Sequence, residues 1–156
     1  MTNDQFASLL VIGYGNTLRQ DDQAGPLVAE TIESYALPGV LTLVSPQLSP
    51  EHSERVAAAR AVVFVDAQAG PALDVNIQQV FPGESTQVTT HAAEPRTVLA
   101  LARDVFGHAP PAWLLTIPAQ GFEFWAEVSP VTREGIEKAV RKVVELAGEI
   151  QSFHRA

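Results

Sequence analysis

The sequence predicts an α/β fold of three layers, α-β-α, around a mostly parallel, five-stranded twisted sheet with one antiparallel strand. Two observations carry this. Short β-branched runs alternate along the chain with stretches of helical spacing, the order expected of a sheet whose strands are joined by helices packed on both faces. Most of those runs are continuously apolar, as in strands buried on both sides, whereas the run from Val75 to Phe81 alternates and reads as a more exposed strand.

Leu9 to Tyr14, Val40 to Val44, Ala61 to Val65 and Trp113 to Ile117 are the expected buried strands, with Val62, Val63, Phe64 and Val65 the clearest central one. Helices are expected from Pro26 to Tyr35, Pro50 to Ala59 and Pro95 to Phe106, the last with Val98, Leu101, Ala102 and Val105 on one face. A final helix is announced by Ser129, read as its cap, and Pro130; Ile136, Val140, Val143, Ala147 and Ile150 then fall on one stripe. The resulting order is a βαβαβ core, a hairpin-like excursion, then αβα. No linker, repeat or low-complexity segment interrupts residues 1–156, which read as one domain, and a chain of this length buries roughly two thirds of its unfolded surface.

Composition narrows the function. Hydrophobic residues make up 46% and charged residues 18%, which excludes a disordered chain. Ten basic residues against 18 acidic ones leave a formal charge of -8, a field that repels a phosphate backbone, so nucleic acid is not expected as a partner. Cysteine is absent; there is no thiolate nucleophile, and any metal must use His, Asp or Glu. The first residues carry acids where a signal peptide carries bases, and no apolar run reaches the ~20 residues of a membrane span. The expected location is the cytoplasm.

In an open parallel sheet, sites form at the carboxyl ends of the strands. Three such ends carry polar chemistry: the turn Gly13-Tyr14-Gly15-Asn16 with Asp21 and Asp22, Asp66 after the third strand, and Thr89-Thr90-His91 before the third helix. The glycine turn lacks the third glycine of a dinucleotide fingerprint, position 18 being Leu, and no Gly-Lys-Ser or Gly-Lys-Thr follows it. Asp22 cannot cap a regular helix, because Pro26 lacks the N–H that would bond back to it. Asp21 is assigned to steadying the segment, and Asp22 is left for chemistry. Asp66 follows four residues that must be buried, so its carboxylate needs hydrogen bonds, a partner charge or a metal. His52, His108 and His154 read as solvated, and His91 stands apart.

The run GYGNTLRQDDQAG, Gly13 to Gly25, resembles the Gly-x-Gly-Asn-x-Leu-x-x-Asp-[Asp/Glu]-x-x-Gly signature of the nickel–iron hydrogenase maturation endopeptidases. Asp66-Ala67, Thr90-His91, Gly121 and Val128-Ser129-Pro130 are similar to further elements of that family, so the resemblance spans about Leu9 to Leu146. It implies an endopeptidase that removes the C-terminal extension of a nickel-loaded large-subunit precursor. Asp22, Asp66 and His91 would be its catalytic and metal-binding residues, and the nickel would be supplied by the substrate. It implies a monomer when free, cleavage either by a carboxylate-activated water or by metal polarisation of the scissile carbonyl, the second preferred, and no membrane partner. Where many members have Asp-Gly-Gly-Thr, this chain reads Ser45-Pro46-Gln47-Leu48-Ser49-Pro50-Glu51, similar to the branch serving bidirectional, pyridine-nucleotide-linked hydrogenases. Gln47, Glu51 and Asn16 are the expected substrate contacts. Two alternatives are a non-catalytic nickel-checking chaperone and a flavodoxin-like nucleotide-binding domain. The aromatic cluster Phe122, Phe124 and Trp125 either packs under the sheet or forms a partner surface.

Overall fold

The computed structural model describes residues 7–84 and 93–155, the last three by backbone alone. Five strands form one sheet: β1 (Leu9–Tyr14), β2 (Val40–Ser45), β3 (Val62–Ala69), β4 (Asn76–Val80) and β5 (Ala112–Ala119). Their order is β2-β1-β3-β5-β4, all neighbours parallel except β4, which runs antiparallel to β5. The expected α/β architecture, mostly parallel with one antiparallel strand, is the one observed.

Among the described residues, four helices cover the sheet: α1 (Ala24–Ser34), α2 (Ser53–Ala57), α3 (Pro95–Phe106) and α4 (Pro130–Arg155). Because side chains alternate along a strand, Leu9 and Val11 of β1 and Val63 and Val65 of β3 face α1 and α4. Leu10, Ile12, Val62 and Phe64 face α2 and α3. Both central strands are therefore buried on both sides, which is why they read as unbroken apolar runs. Phe64 is fully buried at the centre, and truncating such a ring to Ala costs about 3–5 kcal/mol. The stripe expected on the last helix is the one α4 buries: Ile136, Val140, Val143, Ala147 and Ile150 all belong to the α1 side of the core.

Several elements differ from expectation. The excursion is not a hairpin on β3: β4 passes β3 by and pairs with β5, Asn76 opposite Thr116 and Val80 opposite Ala112. β5 takes the place beside β3 because a parallel β3–β5 pair is buried on both faces, while the alternating β4 suits an edge. The expected helix from Pro50 splits into a 3-10 turn, Pro50–His52, and the short α2. α1 starts at Ala24, so Pro26 lies in its first turn, where a helix needs no N–H donor. Finally, β3 does not stop before Asp66 but continues beside β5 to Ala69. No helix among the described residues is long and apolar enough to cross a membrane.

Candidate functional site

From β1 the chain crosses over one face to β2, and from β2 back over the other face to β3. The winding thus changes sense between β1 and β3, which is where open α/β sheets bind their ligands. β1 pairs with β3 only as far as Gly13 opposite Val65, whereas β3 goes on. Asp66 is the first residue beyond that last pair, and it sits in the opening between the two strands. Tyr14 and Asp66 both follow that pair, so their side chains share the face of Ile12 and Phe64.

Glycine makes the turn above this opening possible. Gly15 has φ 152°, a conformation that side chains disfavour. A Cβ at Gly25 would lie 2.5 Å from the Val65 carbonyl oxygen and 2.7 Å from that of Tyr14, so only glycine lets the start of α1 rest on the ends of β1 and β3. Within the turn the Asn16 side chain accepts the Leu18 N–H at 2.9 Å, and the Asn16 N–H donates to Asp22 Oδ2 at 2.7 Å. Asp22 is thereby pointed back over β1, toward Asp66.

The two carboxylates feel each other. Burial raises the Asp66 carboxyl and the Asp22 charge raises it further, while the Ala67 N–H and the Tyr14 hydroxyl bring it part of the way back. It is left pushed up to about 6. Tyr14 answers in kind: burial, the Asp66 charge and its interaction with that carboxylate, and the Glu94 charge at the start of α3 drive its phenol far above the ordinary range. The hydroxyl stays protonated. Neither Asp22 nor Asp66 forms a salt bridge among the described residues, so the pair carries repulsion that a cation would relieve.

Of the residues expected at the site, Asp22 and Asp66 come together. His91 lies outside the described residues, and among those described no group of three His, Asp or Glu stands close enough to hold a metal ion. Gln47 and Glu51 are both exposed beyond the carboxyl end of β2; Glu51 accepts the Ser49 hydroxyl at 3.2 Å. Tyr14 is the residue that sequence reasoning passed over. The signal was the strand parity that puts it beside Asp66, hidden because both its neighbours are glycines.

Asp21 is a structural acid. It is fully buried and accepts the N–H groups of Gln120 (2.7 Å), Gly121 (3.0 Å) and Ser129 (2.8 Å) together with the Ser129 hydroxyl (2.7 Å). Burial pulls its pKa upward, but the bonds from Ser129, Gln120 and Gly121 outweigh that and leave it below the ordinary carboxylate value. Ser129 stands at the start of α4, where its hydroxyl donates to Asp21 and also lies 3.0 Å from the Thr132 hydroxyl in the first turn.

His52 is not a solvated residue: it is buried, and its Nδ1 accepts the Ser49 N–H at 3.0 Å, closing a capping box. Burial lowers its pKa. His108 is exposed as expected, and the side chain of His154 lies outside the described residues. Phe124 and Trp125, 59% and 80% exposed, do not pack under the sheet.

The same fold is found in several solved structures. A NiFe hydrogenase maturation protease, HycI, from Thermococcus kodakarensis KOD1 superposes with a TM-score of 0.70 at 24% identity, over 91% of this chain and 93% of that one. The hydrogenase maturating endopeptidase HybD from E. coli matches with a TM-score of 0.70 at 21% identity, over 90% and 92%. The hydrogenase 2 maturation peptidase from a Thaumarchaeota archaeon gives 0.65 at 20%, over 90% and 97%. These likenesses establish the fold. No protein-family model matches the chain, and no curated protein matches it.

Proposed function

We propose that this chain is an endopeptidase that removes the C-terminal extension of a nickel-loaded nickel–iron hydrogenase large-subunit precursor. Asp22, Asp66 and His91 would meet the nickel that the substrate carries. The observation that supports this most directly is the carboxylate pair. Two acids, Asp22 from the segment after β1 and Asp66 from β3 just beyond its last pair with β1, interact at the switch point, Asp66 being raised to about 6 by burial and by Asp22. Such an arrangement is costly for a chain with nothing to bind. The solved hydrogenase maturation proteases that share the fold suggest the substrate class, and the Gly13–Gly25 signature and the Thr90-His91 element support the same reading.

A borderline divalent ion suits two carboxylates and one imidazole, with positions left for the ligands that the precursor itself provides. Asp22, positioned by the Asn16 N–H, and Asp66, facing the Tyr14 hydroxyl, hold the cargo ion against the scissile segment. The ion contributes polarisation of the scissile carbonyl. The alternative route is that a carboxylate of the pair accepts a proton from the attacking water. Tyr14, unable to ionise, presents a fixed O–H donor on the Asp66 side of the site. Discrimination follows from the cargo: a precursor without nickel leaves the two acids repelling each other and the peptide unheld.

Intact-mass measurement of purified precursor, with and without inserted nickel, after incubation with this protein tests the proposal. Loss of the tail from the nickel-loaded form alone is expected. Equal tail removal from both forms would refute reading of the metal, and an unchanged mass for both would refute the peptidase. Unchanged mass together with nickel-dependent binding would mark a checking chaperone.

A further inference from the structure

The sequence marks Asn16 as a substrate contact, but the structure commits its side-chain oxygen elsewhere. That oxygen accepts the Leu18 N–H at 2.9 Å, while the main-chain carbonyl of Asn16 accepts the Arg19 N–H at 3.1 Å. Residues 16–19 thus form a turn reinforced from its first position, where Asn is favoured because its short amide reproduces a main-chain turn. Thr17 and Leu18 at the tip are exposed, so hydrogen bonds rather than burial hold the shape.

A second turn follows at once, the Asp22 N–H donating to the Arg19 carbonyl at 2.8 Å. The Asn16 N–H then donates to Asp22 Oδ2 at 2.7 Å. Three bonds therefore close a ring from Asn16 to Asp22, and Asn16 takes part in two of them besides the side-chain bond to Leu18. Gly15 forms the inner wall: its N–H donates to the Ser45 carbonyl at 3.1 Å, and a Cβ on it would overlap the Asp22 carbonyl oxygen. The outer side is tied to the β5–α4 connection through the Trp125 N–H on the Leu18 carbonyl and the Gln20 N–H on the Glu123 carbonyl. Those two bonds lie beyond the tip and leave the peptide group between Gly15 and Asn16 to be set by Asn16 itself.

A carboxylate held by one N–H is only as well placed as that donor. The bond to Asp22 is short and charge-assisted, and its direction follows the peptide group that carries it. The Asn16 side chain, by bonding forward to Leu18, restricts the torsions on which that direction depends. Its loss exposes little, because the Leu18 N–H belongs to an exposed residue and can bond to water instead.

We propose that Asn16 is a positioning residue for the carboxylate of Asp22: its side-chain turn fixes the N–H that holds one Asp22 oxygen, and so keeps the acid aimed across β1 at Asp66. Its part in processing rests on the peptidase reading above. The role is indirect, and the substrate is met by Asp22.

Two measurements on wild type, Asn16→Ala and Asn16→Ser test it. The first is amide hydrogen exchange at residue 16 in the metal-free proteins, with Asp22→Ala as the reference for a lost acceptor. Exchange should quicken on the order of 10-fold in Asp22→Ala and in Asn16→Ala, and less in Asn16→Ser, whose hydroxyl makes the same turn more weakly. The second is steady-state processing of nickel-loaded precursor. The Ala variant should lose on the order of 10-fold in kcat, with Ser between it and wild type, and both should melt within ~4 °C of wild type. Unchanged exchange in Asn16→Ala overturns the proposal. So does a raised KM with kcat intact, which marks direct substrate contact, or a Ser variant no better than Ala. Faster exchange with unaltered kinetics makes the turn purely structural and overturns it as well. A wild-type protein that leaves the precursor uncut overturns the peptidase reading, and the exchange rates then still decide whether Asn16 orders Asp22.

Discussion

Two regions of the same rim keep acids under opposite conditions. Where the loop after β1 meets the β5–α4 connection, Asp21 is wholly buried and every donor around it points inward: three backbone N–H groups and one hydroxyl converge on its two oxygens. At the opening between β1 and β3, Asp66 is half-buried, faces Asp22, and has no cation among the described residues to offset the repulsion. The first acid titrates below its ordinary value and the second well above it. Adjacent positions in sequence, Asp21 and Asp22, are thus divided between two jobs. One closes the fold. The other belongs to a pair that the fold tolerates at a cost, which is how a binding site differs from a brace.

The largest expected effect lies on the costly side. Asp66→Asn and Asp22→Ala should each lower the rate of precursor processing by ~10²–10⁴-fold, the range for removing a group that takes part in proton transfer or charge stabilisation, while far-ultraviolet circular dichroism stays native. Processing at more than a tenth of the wild-type rate by either variant would remove that residue from the chemistry. Asp21→Ala should break the comparison the other way. It strands three buried N–H groups and costs about 3 kcal/mol in urea denaturation, with kcat of the folded fraction little changed. The Asp21 contribution should also vanish in acid. With a pKa lowered on folding, its stabilisation is complete above the unfolded value of ~3.9 and is lost as pH falls through the folded value.

The contrast was partly legible in the sequence. A run such as Val62 to Val65 has one physical use, a strand covered on both faces, and an acid directly after it must face something polar; the fold and Asp66 follow from local pattern, although the strand itself runs on to Ala69. Pro26 sufficed to separate Asp22 from the helix. What closes Asp21 is out of reach of such reasoning, because its donors at Gln120, Gly121 and Ser129 are a hundred residues away and act mainly through backbone, which leaves no trace in residue type. The same holds for β4, whose partner is decided by which strand can be buried beside β3, and for His52, whose ring is engaged by the Ser49 N–H. Gly-Tyr-Gly hid Tyr14 because its neighbours, not its own side chain, carry the turn.

Stability gives a sharper test of the same opposition. A carboxyl raised on folding destabilises the native state once it ionises, so Asp66→Asn should stabilise the metal-free protein at neutral pH, by at most about 3 kcal/mol for a shift from an ordinary carboxylate value to about 6. The gain should be absent below pH ~3.8, where both states are protonated, grow as pH rises, and be complete above about 6. Urea midpoints of the two proteins at pH 4 and pH 7.5, with chelator present, read it directly. A variant no more stable than wild type at pH 7.5 would mean that the acids are compensated and that the opening is a second brace.

The smallest effect concerns Tyr14. Its hydroxyl is one of two groups that lower the Asp66 pKa against burial and the Asp22 charge, and burial beside those acids keeps the phenol protonated. Removing it in Tyr14→Phe takes away a donor to the ionised carboxylate without altering the ring that packs above Ile12 and Phe64. The Asp66 pKa of the metal-free protein should therefore move further up, by a few tenths of a unit to about one unit, which carbon-detected titration of the carboxyl can follow. Stability at neutral pH should fall by less than ~1.4 kcal/mol in step, since one unit of pKa is worth that much. Asp21, bonded on the far side of the rim, should titrate as before. An Asp66 midpoint that stays in place would show that the tyrosine hydroxyl faces solvent in solution and has no part in setting the charge of the pair. A midpoint that falls would mean that removing the hydroxyl lets water reach the carboxylate, making Tyr14 a shield for the acids rather than a donor.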